Sequence, residues 1–119
     1  ARGHTRDPVF MDAFTRIALD VRDLEALYTE FAAIIKEGGE PGADVALLKI
    51  WASETYCRLS EMILDAAGEH GAAPGKQVFG DTEIDALNHY YNARPAPIYA
   101  GSNEIQRNII AKLVLQLPA

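Results

Sequence analysis

The residues best suited to chemistry stand together late in the chain, in the run Tyr99-Ala100-Gly101-Ser102-Asn103-Glu104. Gly101 permits backbone dihedrals that other residues resist, so main chain can come close to a ligand there. Ser102 adds a hydroxyl and Glu104 a carboxylate. Behind them Ile105, Ile109, Leu113 and Leu117 recur every four residues and predict a final helix that starts near Ser102 or Asn103. The free N–H groups at such a start favour an anion or a carbonyl oxygen. The same pattern also fits plain helix capping with no ligand. Asn103 and Gln106 have capping-box spacing, with Asn in place of the usual Ser or Thr.

Other chemistries find no support. His4, His70 and His89 lie far apart, without metal-ligand spacing. Ser53 and Ser60 fall in a helical pattern and lack the glycines of a nucleophile elbow. No glycine-rich phosphate loop follows a strand pattern, which excludes a self-contained Rossmann or P-loop domain. Glu-x-x-His does not occur, which argues against a four-helix di-metal protein. A net charge of −6 argues against a nucleic-acid or anionic-membrane partner, and the basic cluster Arg2, His4 and Arg6 reads as a solvated end. Cys57 stands alone, reads as a packed thiol and fits a reducing, cytoplasmic setting. No apolar run approaches the ~20 residues of a membrane span, and there is no signal-peptide core. The start at Ala-Arg-Gly-His reads as a cut or processed end.

The elements that position the 99–104 run are helical. At 119 residues and 49% hydrophobic content, the chain fits one domain with a core of its own. Asp7 is a good N-cap, and Pro8 suits the first turn of a long helix. Its seam is Phe10, Phe14, Ile17, Val21, Leu24, Tyr28, Phe31 and Ile35, in alternating steps of four and three. Gly38-Gly39 ends it. A second helix runs from about Pro41 or Ala43 to Ala67, with a seam of Val45, Leu48, Ala52, Thr55, Leu59, Met62 and Ala66, and Gly68 closes it. The short link predicts an antiparallel pair. Residues 68 to 80 read as connection, and Ile84, Leu87, Tyr90 and Tyr91 as a weak helix over 81–93. Pro95 and Pro97 forbid regular helix, and Pro118 stops the last one. No strand is expected. The fold class is all-α, an up-down helical bundle. Apolar residues off the seams, such as Trp51 and Ile63, predict an oligomer.

The run Ile98-Tyr99-Ala100-Gly101-Ser102-Asn103-Glu104-Ile105-Gln106-Arg107, with the apolar residues after it, resembles the closing motif of the acyl-CoA dehydrogenase family, usually I-Y-(E/G)-G-T-(S/N)-(E/Q)-I-Q-R. Leu115 to Pro118 resembles its Leu-Gly-Leu-Pro ending, with Gln116 where Gly is common. Lys49-Ile50-Trp51-Ala52-Ser53-Glu54 is similar to the Lys-x-x-x-Ser-Glu segment of an earlier family helix. The resemblance implies most of the C-terminal helical domain of a longer flavoenzyme. It implies FAD contacted by Ser102 and Glu104, and an acyl-CoA thioester held at Tyr99, Ala100 and Gly101. It also implies electron-transfer flavoprotein or a similar acceptor, and a homo- or hetero-oligomer. Ala100 stands where many members carry the proton-abstracting carboxylate, so this chain holds no catalytic base. Either the base lies on an earlier helix, before residue 1, or the chain resembles a base-less partner subunit. The family's partner-flavin segment, Gln-x-x-Gly-Gly-x-Gly, is degenerate around Gly68-Glu69-His70-Gly71, which favours the second alternative. A helical interaction module that keeps the fold without the chemistry is the competing reading. A lone bundle cannot enclose a flavin, so the isolated chain is expected to be inactive and colourless.

Overall fold

The computed structural model describes residues 3–118, so Arg2 of the basic cluster lies outside the described residues. Helix α1 spans Pro8–Lys36, α2 Ala46–Ala67, α3 Ala86–Ala93 and α4 Asn103–Ile109. The hairpin strands β1, Gln77–Phe79, and β2, Thr82–Ile84, lie between α2 and α3. The all-α class holds, with this small sheet as an addition. Among the described residues, no helix is long and apolar enough to cross a membrane.

Local chemistry sets the ends of α1. The Asp7 carboxylate accepts from the Val9 N–H at 3.0 Å, and Pro8 fills the first turn, where an N–H has no helical partner. At the other end the Gly38 N–H donates to Ile35 O and the Gly39 N–H to Ile34 O. These two bonds satisfy carbonyls that a helix terminus leaves open. The chain then turns through a 3-10 segment, Ala43–Val45, into α2. His4 near Ala66 and Asp20 near Arg58 show that α1 and α2 run antiparallel.

The seam drawn on α1 divides in two. Phe31 is buried and Phe10, Ile17 and Leu24 are half-buried, whereas Phe14, Tyr28 and Ile35 are exposed. A stripe of that width suits two neighbours, and among the described residues the main helix packed on α1 is α2. The buried row of α2 is also not the apolar seam. Its main row is Ala46, Ser53, Ser60 and Ala67, spaced by seven; of the expected seam only Thr55 is buried, while Ala52 is exposed. Small side chains let the backbones of α3 and α4 come close, and Ala86, Ala93 and Ala96 are buried from the other side. A hydrophobicity pattern under-weights such a row because serine and alanine carry little apolar signal. The Ser60 hydroxyl is satisfied locally, donating to Cys57 O at 2.8 Å, and the Cys57 thiol is half-buried and lies 3.3 Å from Ala93 O.

Three further expectations are corrected. Residues 77–84 form an antiparallel hairpin that pairs Phe79 with Thr82. Its two-residue Gly80-Asp81 turn is a recognised hairpin signal, and Gly80 takes φ +63 there. Ile84 therefore belongs to β2, and α3 begins one residue after Asp85, whose side chain accepts from the Asn88 N–H. The last helix does not run to Pro118. It changes to π-helical turns over Ile110–Val114 and ends with Gln116 at φ +52. Its stripe is also largely uncovered, with Ile105, Leu113 and Leu117 all exposed.

The radius of gyration is 17.5 Å, against about 13.5 Å for a compact domain of this length. The accessible surface is 8351 Å², against about 6,300 Å² for a closed monomer of this mass.

Candidate functional site

The 97–104 turn is built by two prolines that cannot donate and so only accept. Pro95 O takes the N–H groups of Ile98, at 2.9 Å, and Tyr99, at 3.1 Å. Pro97 O takes the Asn103 N–H at 2.9 Å, which closes the loop onto the start of α4. Between these ties the chain passes through two left-handed residues, Ala100 at φ +54 and Gly101 at φ +83. Glycine adopts that region freely, but alanine pays in steric strain between its Cβ and the following carbonyl. A side chain at Gly101 would also meet the Gln106 amide, which folds back to 2.7 Å from the Cβ position.

Ser102, not Asn103, is the N-cap. Its Oγ accepts from the Ile105 N–H at 3.4 Å and its carbonyl from the Gln106 N–H at 3.0 Å. The capping box expected between Asn103 and Gln106 is therefore overturned. Glu104 is exposed, and its carboxyl is held below the usual carboxylate range. The first cause is its own backbone N–H, the second the Ser102 hydroxyl, and Arg107 and Lys49 add attraction. Tyr99, Ala100 and Gly101 are exposed beside it, and Ser102 is half-exposed. Among the described residues the backbone N–H of Ala100 takes no partner.

Asn103 is 3% exposed and turns its side chain inward. Its Oδ1 accepts from Lys49 Nζ at 2.7 Å, and its Nδ2 donates to Ser53 Oγ at 3.0 Å and to Glu54 Oε1 at 3.2 Å. Arg107, one turn further along α4, pairs with Glu54. The Lys49, Ser53 and Glu54 positions of α2 thus meet the 99–107 run directly, across more than forty residues of sequence. Sequence reasoning missed this clamp. The available signal was the Lys-x-x-x-Ser-Glu spacing of Lys49, Ser53 and Glu54, three of the polar positions of α2.

A cavity of about 570 Å³ lies apart from the turn, between the end of α2 and the hairpin, where His4, Ile63, His70 and Phe79 are among its walls. Gly68–Ala72, which the resemblance aligns with a degenerate flavin-contacting run, is a tight 3-10 turn. Gly71 is buried there against the Leu64 carbonyl.

The chain matches the family described as "Acyl-CoA dehydrogenase, C-terminal domain" over residues 3–115. It is 34% identical to the acyl-CoA dehydrogenase IpdE1 of Mycobacterium tuberculosis, over 94% of this chain and 28% of that protein. It is 32% identical to the protein of the same name from Mycolicibacterium smegmatis, over 98% of this chain and 27% of that protein. It is 34% identical to the human mitochondrial short-chain specific acyl-CoA dehydrogenase, over 76% of this chain and 20% of that protein. The chain thus spans about a quarter of the length of the curated relatives it matches. No solved structure matches.

Proposed function

The chain belongs to the acyl-CoA dehydrogenase family, matching its C-terminal domain, and from that premise we propose that it is the C-terminal helical domain of a flavin-dependent enzyme that oxidises an acyl-CoA thioester to the 2,3-enoyl-CoA. The observation that carries this reading is the turn itself. Asn103 and Arg107 lock onto Lys49, Ser53 and Glu54, while Tyr99, Ala100, Gly101 and Glu104 remain exposed at the surface.

The donor set fits FAD. Glu104 stays anionic at neutral pH, because its own N–H and the Ser102 hydroxyl stabilise the charge. A carboxylate repels phosphate and accepts from hydroxyl and amino groups, so Glu104 suits those groups of the cofactor rather than its pyrophosphate. Ser102 adds a hydroxyl next to it. When bound, FAD would supply the acceptor for the hydride that leaves the β-carbon. The Ala100 N–H, free of any protein partner among the described residues, would donate to the thioester carbonyl and so acidify the α-proton. Tyr99 and Gly101 flank that donor. The Ala100 methyl cannot take the proton, so the base comes from an earlier helix or from another subunit. Electron-transfer flavoprotein or a similar acceptor would take the electrons onward.

One observation favours the second reading, a base-less partner in a heteromeric dehydrogenase or a non-catalytic helical module. Gly71 is buried in internal packing, with a Cβ position 2.5 Å from Leu64 O, so its small size serves the fold rather than a ligand. The reading is tested in two steps. The purified 119-residue chain should show no stoichiometric flavin absorbance near ~450 nm, because an open turn does not enclose the cofactor; a stoichiometric band would refute this. In the complete enzyme, Glu104→Ala should weaken FAD binding about tenfold, the loss of one charge-assisted hydrogen bond. Unchanged flavin occupancy would remove Glu104 from the site.

A further inference from the structure

Asn103 combines two ties that lie on opposite sides of the turn. Its backbone N–H closes the loop onto Pro97 O at 2.9 Å. Its side-chain amide is buried and reaches three residues of α2, Lys49, Ser53 and Glu54. The two neighbours that flank it differ from it in kind, since Ser102 is half-exposed and Glu104 exposed. A planar amide with both ends engaged can satisfy its partners in one orientation only, because Oδ1 accepts and Nδ2 donates. Lys49 demands an acceptor and Glu54 demands a donor, so the ends cannot be exchanged. We infer that Asn103 is the positioning residue of the 99–104 turn: its buried amide, fixed between Lys49 and Glu54 and against Ser53, sets the direction in which Ser102 and Glu104 face outward.

The consequence is mechanical. Ser102 and Glu104 are tied mainly within the start of α4, through the Ile105 and Gln106 N–H groups and the Ser102 hydroxyl, and neither makes a side-chain hydrogen bond to α2 among the described residues, so the orientation of both follows from the residue between them. Two successive left-handed residues, Ala100 and Gly101, precede it and would otherwise relax. What the turn is held ready for rests on the flavin reading; that Asn103 holds it does not.

The test uses the 119-residue chain with no cofactor present. Asn103→Leu keeps the side-chain size and removes every polar tie, and Ser53→Ala removes one tie while preserving helix propensity. Amide hydrogen exchange reads the ties at Asn103, Ile105 and Gln106. Asn103→Leu should lower their protection about tenfold, and Ser53→Ala about threefold, with α1 amides unchanged. The double variant should be no worse than Asn103→Leu, because both act through one clamp. The Glu104 carboxyl titration, followed by ¹³C NMR, should move up toward the ordinary carboxylate range in Asn103→Leu. Retained protection at these amides, equal loss across α1, or independent effects in the double variant would each overturn the inference. If Asn103→Leu does not fold, the same amides and the same Glu104 titration in Ser53→Ala decide it. Because no flavin is involved, failure here leaves the Glu104→Ala experiment to judge the cofactor reading separately.

Discussion

Gly71→Ala offers a sharp test of how the segment after α2 is packed. A methyl built there would stand 2.5 Å from the Leu64 carbonyl oxygen and 3.3 Å from its carbon, about 1 Å inside ordinary van der Waals spacing. Both atoms belong to the last turns of α2, and a helix backbone gives way less readily than a flexible side chain. Forcing a methyl into such a site costs about 1–3 kcal/mol. The φ of Gly71 lies outside the left-handed region, so alanine adds no dihedral strain. It also narrows the unfolded ensemble, which returns about 0.4–1 kcal/mol. The net expectation is destabilisation by about 1–2 kcal/mol. At about 2 cal/mol/K of unfolding entropy per residue, this chain should lose about 4–8 °C of Tm. Far-UV circular dichroism melts read it, with Gly75→Ala as the comparison. Gly75 has open space around it and φ +82, so its alanine variant feels strain without a clash. If Gly71→Ala melts at or above the parent temperature, the close approach of Gly71 to Leu64 is not a feature of the folded protein.

The remaining predictions concern charge, surface and packing. Glu104 has a depressed folded pKa, so its contribution is present above the ordinary carboxylate value and is lost as pH falls through the folded one. Ser102→Ala removes one cause, and the Glu104 titration should move upward; an unmoved midpoint would show that the hydroxyl does not face it. Phe14, Tyr28 and Ile35 lie seven or fourteen apart on one uncovered row of α1, and the surface excess of about 2,000 Å² is on the scale of a standard interface. Self-association should therefore appear in sedimentation at high concentration and weaken when all three become Ser, whereas a monomer throughout would count against it. Ala93 is fully buried, so Ala93→Leu should cost about 1–3 kcal/mol in denaturant unfolding; a neutral result would mean that α2 and α3 are not in close contact. Gln116→Gly should be neutral or slightly stabilising, because glycine takes φ +52 without strain, and a clear loss would mean that the Gln116 side chain holds the tail.

Local rules account for much of the fold. The Asp7 cap, the Pro8 start, the Gly38-Gly39 stop, the Gly68 end of α2 and the proline break at 95–97 all depend on neighbours within a few residues, so they could be read directly. The family was also legible, because the motif around Gly101 is dense and departs from the family pattern only at Ala100 and Ser102. Where the apolar residues go was less legible. The pattern of α1 showed a wide stripe, but only packing decided that Phe31 is covered and Phe14, Tyr28 and Ile35 are not. The buried row of α2 was missed because close helix approach selects for smallness, which periodicity does not measure. The hairpin carried its signal in Gly80-Asp81, but three-residue strands are too short for a period to register.

The site divides in the same way. That residues 99–102 form a turn before a helix, with Ser102 and Glu104 as polar side chains at the junction, followed from sequence alone. Which of Ser102 and Asn103 caps the helix did not, because both are good caps and their roles depend on what lies opposite. Tertiary structure settled it by placing Lys49 and Glu54 where an amide could serve both at once. A buried amide with two partners of opposite demand is stable only inward, and that left Ser102 as the cap and Glu104 facing out.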